Sequence, residues 1–380
     1  MPIINKAAKL QGQSAGLLRT RVKQPGRYTF IVKAPMKNGP PLPIPIHVIR
    51  GRKSGPTLLV AAGEHGVEVN GVAAIDRVLR ETDLRSLRGT FVGIPAINPA
   101  NVCNRINPPI GKNGQRAPWD SARDWPGDIR GTPGERIAAT LTQAVMNDAD
   151  VIINIHAWSW YSASCAFASP CSRQAMRLAR AFGLGFVCFS YTGYCKGPDV
   201  PLDPKHNMLT HYAQAHGKPA ILAELRTHHW LYPPSVADGM NGIRNVMKTL
   251  GMLPGKPVWP AQQHAALEEE VIHTPRRGLF VPVTSIGETV RKNETLGYLL
   301  DLKTGRKTDV KSPCNGAVWL VSRVGKSGTS LPDMHAYADQ GDMVALIKHV
   351  DRRGADRRGG SRAYYPKGPF MLYSMKRTSA

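Results

Sequence analysis

The chain lacks several things, and each shortage excludes a class of protein. No run of about 18 apolar residues occurs, so no transmembrane helix is expected. No apolar stretch follows Met1 in the manner of a secretory signal, so the chain reads as neither exported nor membrane-spanning. The six cysteines (Cys103, Cys165, Cys171, Cys188, Cys195 and Cys314) form no C-x-x-C and no even framework. They suit reduced, mostly buried thiols in a cytoplasmic protein, and none sits in a nucleophile motif. Internal repeats at solenoid periods are also missing. Acidic residues are scarce, 27 against 50 Lys and Arg, which leaves a net charge of +23. Such a surface can attract nucleic acid, anionic membrane or acidic substrates. The excess is diffuse, however, apart from Asp351–Arg358, and no basic block interleaves with aromatics. Neither specific nucleic-acid binding nor a membrane partner is expected.

What is present points to a folded α/β chain. Its 380 residues are enough for two domains, and 37 glycines with 31 prolines imply many turns. Residues 1–50 read as an extended lead-in packing on a catalytic domain over 51–253. There, apolar runs at Pro56–Ala62, Thr90–Ile97, Ala149–Ile155, Phe186–Tyr191 and Pro219–Leu225 alternate with helical patterns. Thr132-Pro-Gly-Glu135 carries a capping box, and Gly183 a helix stop. This alternation argues for a mainly parallel sheet. A long loop is expected over roughly 101–131, rich in Pro, Gly, Asn and Arg. A Pro-rich linker at 254–262 leads to evenly spaced short strands over 263–350, read as a small all-β barrel or sandwich, then a basic tail at 351–380.

The chain is organised around Leu58-Leu-Val-Ala-Ala-Gly-Glu-His-Gly-Val-Glu68, a buried strand, a glycine turn and a helix start. His65 and Glu68, three apart, place an imidazole and a carboxylate on one face. In open α/β sheets, sites form at the C-terminal ends of strands. His65, Asn98, His156 and Glu224 all fall there. Two histidines and a carboxylate (His65, Glu68, His156) leave an open position on Zn²⁺, as in a catalytic site. Glu224 could serve as base, and Arg105 and Arg123 on the long loop could polarise the scissile carbonyl and clamp a substrate carboxylate. That set suits metal-assisted hydrolysis of an amide in a small anionic substrate.

Over about residues 50–350 the chain resembles the succinylglutamate desuccinylase/aspartoacylase family, relatives of the zinc carboxypeptidases. Gly63-Glu-His-Gly-Val-Glu68 matches G-x-H-G-x-E, which implies His65 and Glu68 as zinc ligands. Asn98-Pro-Ala100 matches an N-P-x-A region, implying a substrate-side position for Asn98. Asp120-Ser-Ala-Arg-Asp-Trp-Pro-Gly127 resembles D-L-N-R-x-F-P-G, with Arg123 at the substrate arginine. Asn154-Ile-His156 corresponds to D-L-H, making His156 the third ligand, and Glu224 sits at the catalytic glutamate of E-x-G. The resemblance implies a zinc-carboxypeptidase-like mixed sheet flanked by helices, with a smaller C-terminal barrel-like β domain. It also implies one Zn²⁺ per chain and a small anionic N-acyl amino-acid-like substrate, deacylated by metal-activated water. Three departures stand out: Ala122 for asparagine, Asn154 for aspartate and Arg226 for glycine. Arg116 competes with Arg105 as the electrophile. His228 and His229 read as a surface loop. A carboxypeptidase acting on peptides and a non-catalytic polyanion-binding protein are the rival readings, and an oligomer is left open.

Overall fold

The computed structural model describes residues 16–106, 117–158, 162–189, 207–324 and 336–350. A short helix, α1 (Leu17–Arg21), precedes the hairpin of β1 (Gly26–Ala34) and β2 (Leu42–Arg50). Then follow β3 (Lys53–Ala62), α2 (Val69–Glu81), β4 (Arg88–Ile94), α3 (Pro99–Asn104), α4 (Pro133–Ala144) and β5 (Val151–Ala157). The series continues with β6 (Cys165–Ala168), α5 (Arg173–Phe182), β7 (Phe186–Phe189), α6 (Leu209–Ala215), β8 (Ala220–Leu225) and α7 (Pro233–Thr249). Strands alone come after: β9 (His264–His273), β10 (Gly278–Pro282), β11 (Thr289–Val290), β12 (Thr295–Leu300), β13 (Lys307–Lys311), β14 (Gly316–Val324), β15 (Tyr337–Ala338) and β16 (Met343–Val350).

The central strands are apolar on both sides because both sides are covered. Along β3 the residues sort by twos: Leu58, Val60 and Ala62 join one core with α2, α5 and α7. Leu59 and Ala61 join the other, with α1, α4 and α6. The same period divides Ile153 and Ile155 from Ile152 on β5, the pattern of a strand buried on both faces. Local signals fix the helix ends. Thr132 and Glu135 close a reciprocal capping box with Pro133 in the first turn, and Gly183 ends α5 in the left-handed conformation.

Twelve strands form one sheet in the order β1-β2-β4-β3-β5-β8-β6-β7-β9-β16-β14-β11. The sheet is mixed rather than mainly parallel. The β1–β2 hairpin is added antiparallel to β4, and four-residue β6 runs against β8. The residues between β5 and β6, 158–164, are too few for a parallel crossover, which needs about a dozen, so the chain comes back in the opposite direction. The expected long loop also holds α3, capped by Asn98 with Pro99 in its first turn, and a 3₁₀ turn at Ser121–Arg123.

Residues 254–262 carry no regular structure, yet the sheet passes across that boundary, because β9 pairs in parallel with β7. A second sheet, β13-β12-β10-β15, packs against β9, β14 and β16 over a core that includes Phe280, Leu296, Leu299, Val318 and Ile347. The C-terminal strands therefore form two facing sheets, one of which continues the main sheet. The polar strand Lys307-Thr-Asp-Val-Lys311, with Val310 its one buried residue, carries no hydrophobic pattern to announce it. Most of the lead-in (1–15) and the basic tail (351–380) lie outside the described residues. Among the described residues no helix is long and apolar enough to cross a membrane.

Candidate active site

The site is built where β3, β5 and β8 end. Backbone leaves β3 through Gly63, whose φ of +65° an L side chain rarely adopts. At Gly66 a Cβ would stand 2.0 Å from the Asn101 carbonyl, so only glycine lets the turn lie against α3. The turn ends at Glu68, which occupies the N-cap of α2 without using its side chain to cap. The carboxylate faces inward instead. Its Oε1 lies 2.7 Å from His65 Nδ1, and its Oε2 lies 2.9 Å from His156 Nδ1. That Oε2 is buried and makes no aligned hydrogen bond. One ligand atom from each of the three side chains falls within a 4.8 Å cluster.

Behind each imidazole stands a further carboxylate. His65 Nε2 is 3.4 Å from Asp120 Oδ1, and His156 Nε2 is 3.0 Å from Glu64 Oε2. Glu64, only 1% exposed, also accepts hydrogen bonds from Asn154, Trp125 and Ser121. This much negative charge holds protons on the imidazoles. Burial depresses the His65 pKa, but the Glu68 charge and its hydrogen bonds to Asp120 and Glu68 overcome that and raise it to about 10. His156 is likewise raised against burial, by Glu68 and Glu64. Two nitrogens and a carboxylate, with both imidazoles backed by carboxylates, fit a divalent cation of the zinc type. The buried Oε2 of Glu68, beside His156 Nδ1 but without an aligned hydrogen bond, is the kind of atom such an ion would satisfy.

The cluster forms one side of a cavity of about 200 Å³. Glu224 lines it from β8, in register with His156 on the neighbouring β5. Burial, helped by the Glu68 charge and opposed by His156, pushes its pKa up to about 7. Trp158, just past β5, lines the cavity and meets Trp319 of β14 edge-on, with ring centroids 4.8 Å apart. The C-terminal sheets thus brace one wall. Arg123 reaches the cavity from the 3₁₀ turn, in which Ala122 is buried.

His228 lines the cavity as well, where the sequence suggested a surface loop. Thr227 and His229 on either side have φ of +76° and +73°, a conformation disfavoured for a β-branched threonine. The backbone is held there by Asn70, which donates to the Thr227 carbonyl, and by the His229 N–H, which donates to Val67. His228 Nε2 is buried without a partner. Burial and the neighbouring His229 lower its pKa to about 4, so the ring is neutral.

Other expected residues stand elsewhere. Asn98 is fully buried, accepting from the Asn101 N–H and donating to the Trp119 carbonyl, and does not line the cavity. Arg105 is exposed at the left-handed C-cap of α3 and does not line it either. Arg226, its N–H bonded to Ser164 Oγ, is likewise absent from the lining. Arg116 lies outside the described residues. The sequence reading missed Glu64 and His228; a charged residue directly after a buried strand was the available signal for the first.

Among curated proteins the chain is similar to an N-alpha-acetyl-L-2,4-diaminobutyric acid deacetylase of Halomonas elongata. The two are 23% identical over 319 residues, 81% of this chain and 86% of that one. Among solved structures it is similar to a succinylglutamate desuccinylase/aspartoacylase from Rhodobacter sphaeroides (25% identity, TM-score 0.65, covering 86% of this chain and 97% of that one). The fold also matches the product-bound ectoine utilization protein EutE (DoeB) from Ruegeria pomeroyi, with 20% identity, a TM-score of 0.65 and coverage of 86% and 96%. The model of the succinylglutamate desuccinylase/aspartoacylase catalytic domain matches residues 54–250, the span that carries the cluster, the cavity arginine and Glu224, and the chain belongs to that family.

Proposed function

We propose that the protein is a zinc-dependent deacylase that removes an N-acyl group, of acetyl or succinyl type, from an amino acid or related small molecule. The observation that carries this is the His65–Glu68–His156 cluster facing one small cavity with Glu224 in register beside it, in a chain of this family. The deacetylase from Halomonas elongata supports the reaction type. The thiols of Cys103, Cys165, Cys188 and Cys314 suit a cytoplasmic setting.

His65, Glu68 and His156 would hold the ion, which when bound supplies Lewis acidity to the amide carbonyl and lowers the pKa of water. Glu224 then takes a proton from the attacking water and returns it to the leaving amine. Burial raises its pKa above that of an ordinary glutamate, which favours taking up the proton and giving it back. Arg123 binds the substrate carboxylate, for which a guanidinium offers two parallel N–H donors. His228, neutral and with Nε2 unpartnered, hydrogen-bonds the substrate within the cavity. A cavity of about 200 Å³ favours a small molecule over a peptide.

The test is primary-amine release from a panel of N-acetyl, N-succinyl and N-formyl amino acids, with and without a chelator. Chelator-sensitive release from one member is expected. Silence across the panel from zinc-loaded protein sinks the reading.

A further inference from the structure

The structure assigns to Glu64 the role of a positioning residue that locks His156 and the Arg123-bearing turn into one arrangement. It does not line the cavity, and it is 1% exposed. A carboxylate that deep is tolerated only when its oxygens are supplied with donors, and Glu64 has four. Oε2 lies 3.0 Å from His156 Nε2 and accepts from Asn154 Nδ2 at 2.9 Å. Oε1 accepts from Trp125 Nε1 at 3.0 Å and Ser121 Oγ at 3.3 Å.

The two oxygens serve two purposes. With the His156 proton on Nε2, donated to Glu64, the lone pair on Nδ1 faces Glu68 and His65. Position 154, two residues before His156 on the same strand face, carries an amide, which cannot supply the charge. Its Nδ2 donates to Glu64 at 2.9 Å and lies 3.0 Å from His156 Nε2, and its own Oδ1 is left without a partner. The carboxylate therefore comes from the turn after β3 instead of from β5. Through Oε1 the same group holds Ser121 and Trp125, which flank Arg123. One buried charge thus sets a proposed ligand and the proposed substrate clamp.

The inference rests on the proposed metal reading, and the experiment separates the two. Zn²⁺ affinity of the full chain is measured by competition with a chromophoric chelator, for wild type, Glu64→Gln, Asn154→Asp and the double variant. In Glu64→Gln an amide N–H must face either His156 Nε2–H or Trp125 Nε1–H, and a loss of about 10–100-fold in affinity is expected. In the double variant the carboxylate introduced at position 154 accepts from both His156 and the amide introduced at position 64. The oxygen of that amide still accepts from Trp125. Affinity should return towards wild type. A purely structural role for Glu64 predicts no such rescue.

Wild-type affinity in Glu64→Gln, or a double variant no tighter than Glu64→Gln, overturns the assignment. Should Glu64→Gln fail to fold, the double variant decides alone, by whether it matches wild type. A wild-type protein that takes up no Zn²⁺ removes the metal reading and this inference together. A wild type that binds, with variants that all match it, removes only the role of Glu64.

Discussion

His156 and His65 each turn Nδ1 toward Glu68, yet the fold holds them by different means. His156 lies within β5, 5% exposed, between two strands, with a fully satisfied carboxylate 3.0 Å behind it. His65 sits on a turn, its side chain 22% exposed, with Asp120 at 3.4 Å on a loop. One imidazole is fixed by the sheet and the other by two loops meeting. Substitutions on the sheet side should therefore disturb folding and chemistry together, and those on the loop side chemistry alone.

The largest contrast is expected between His156→Ala and His65→Ala. Both should abolish zinc uptake and activity. In chelator-treated protein, His156→Ala should also cost about 3–5 kcal/mol of stability, because Glu64 and Glu68 lose a buried partner. Urea denaturation reads the difference, and equal midpoints would break the comparison.

Glu224→Gln, on β8, should lower kcat by about 10²–10⁴ with zinc content unchanged. The same residue sets a pH dependence. Only its carboxylate form accepts a proton, so kcat/KM should fall as pH drops through its pKa, which burial raises to about 7 in the metal-free protein. A bound cation would draw that inflection lower, toward the ordinary value for glutamate. A profile flat down to pH 4 would remove Glu224 as the base.

On the loop side, Arg123→Ala should raise KM by about 10–100-fold, the worth of a charge-assisted pair at roughly 1.5–3 kcal/mol, with little change in melting temperature. Asp120→Asn should have the smallest effect. At 3.4 Å from His65 and partly exposed, its loss should weaken zinc affinity less than Glu64→Gln does. The opposite order in the chelator competition would mean that the loop carries the firmer hold.

Legibility from sequence followed the same division. The apolar runs of β3, β5 and β8 announced the strands, and the polar residues at their ends, His65, Glu68, His156 and Glu224, meet around one cavity. Glu64 stayed hidden because its partners lie 57, 61, 90 and 92 residues away, and a lone glutamate in a glycine turn looks solvent-facing. His228 escaped because its placement depends on a strained backbone held by Asn70, 157 residues distant from Thr227. Arg105 was assigned by its distance from Asn98-Pro99, and Asn98 by its place at a strand end and a motif match, and neither says where the side chain goes. Short β6 and polar β13 left no periodicity to read.

The pairing of β9 with β7 has a practical consequence for anyone trimming the chain. A cut at the apparent linker near residue 260 would not release a self-contained catalytic unit. It would strip β7 of a neighbour and bare Cys165, Phe186 and Cys188, now covered by Ala266, Trp319 and Leu346. An uncovered apolar edge is a template for aggregation. Shortened versions should therefore collect in inclusion bodies, and any exchange of the C-terminal part between relatives would have to bring β9 with it.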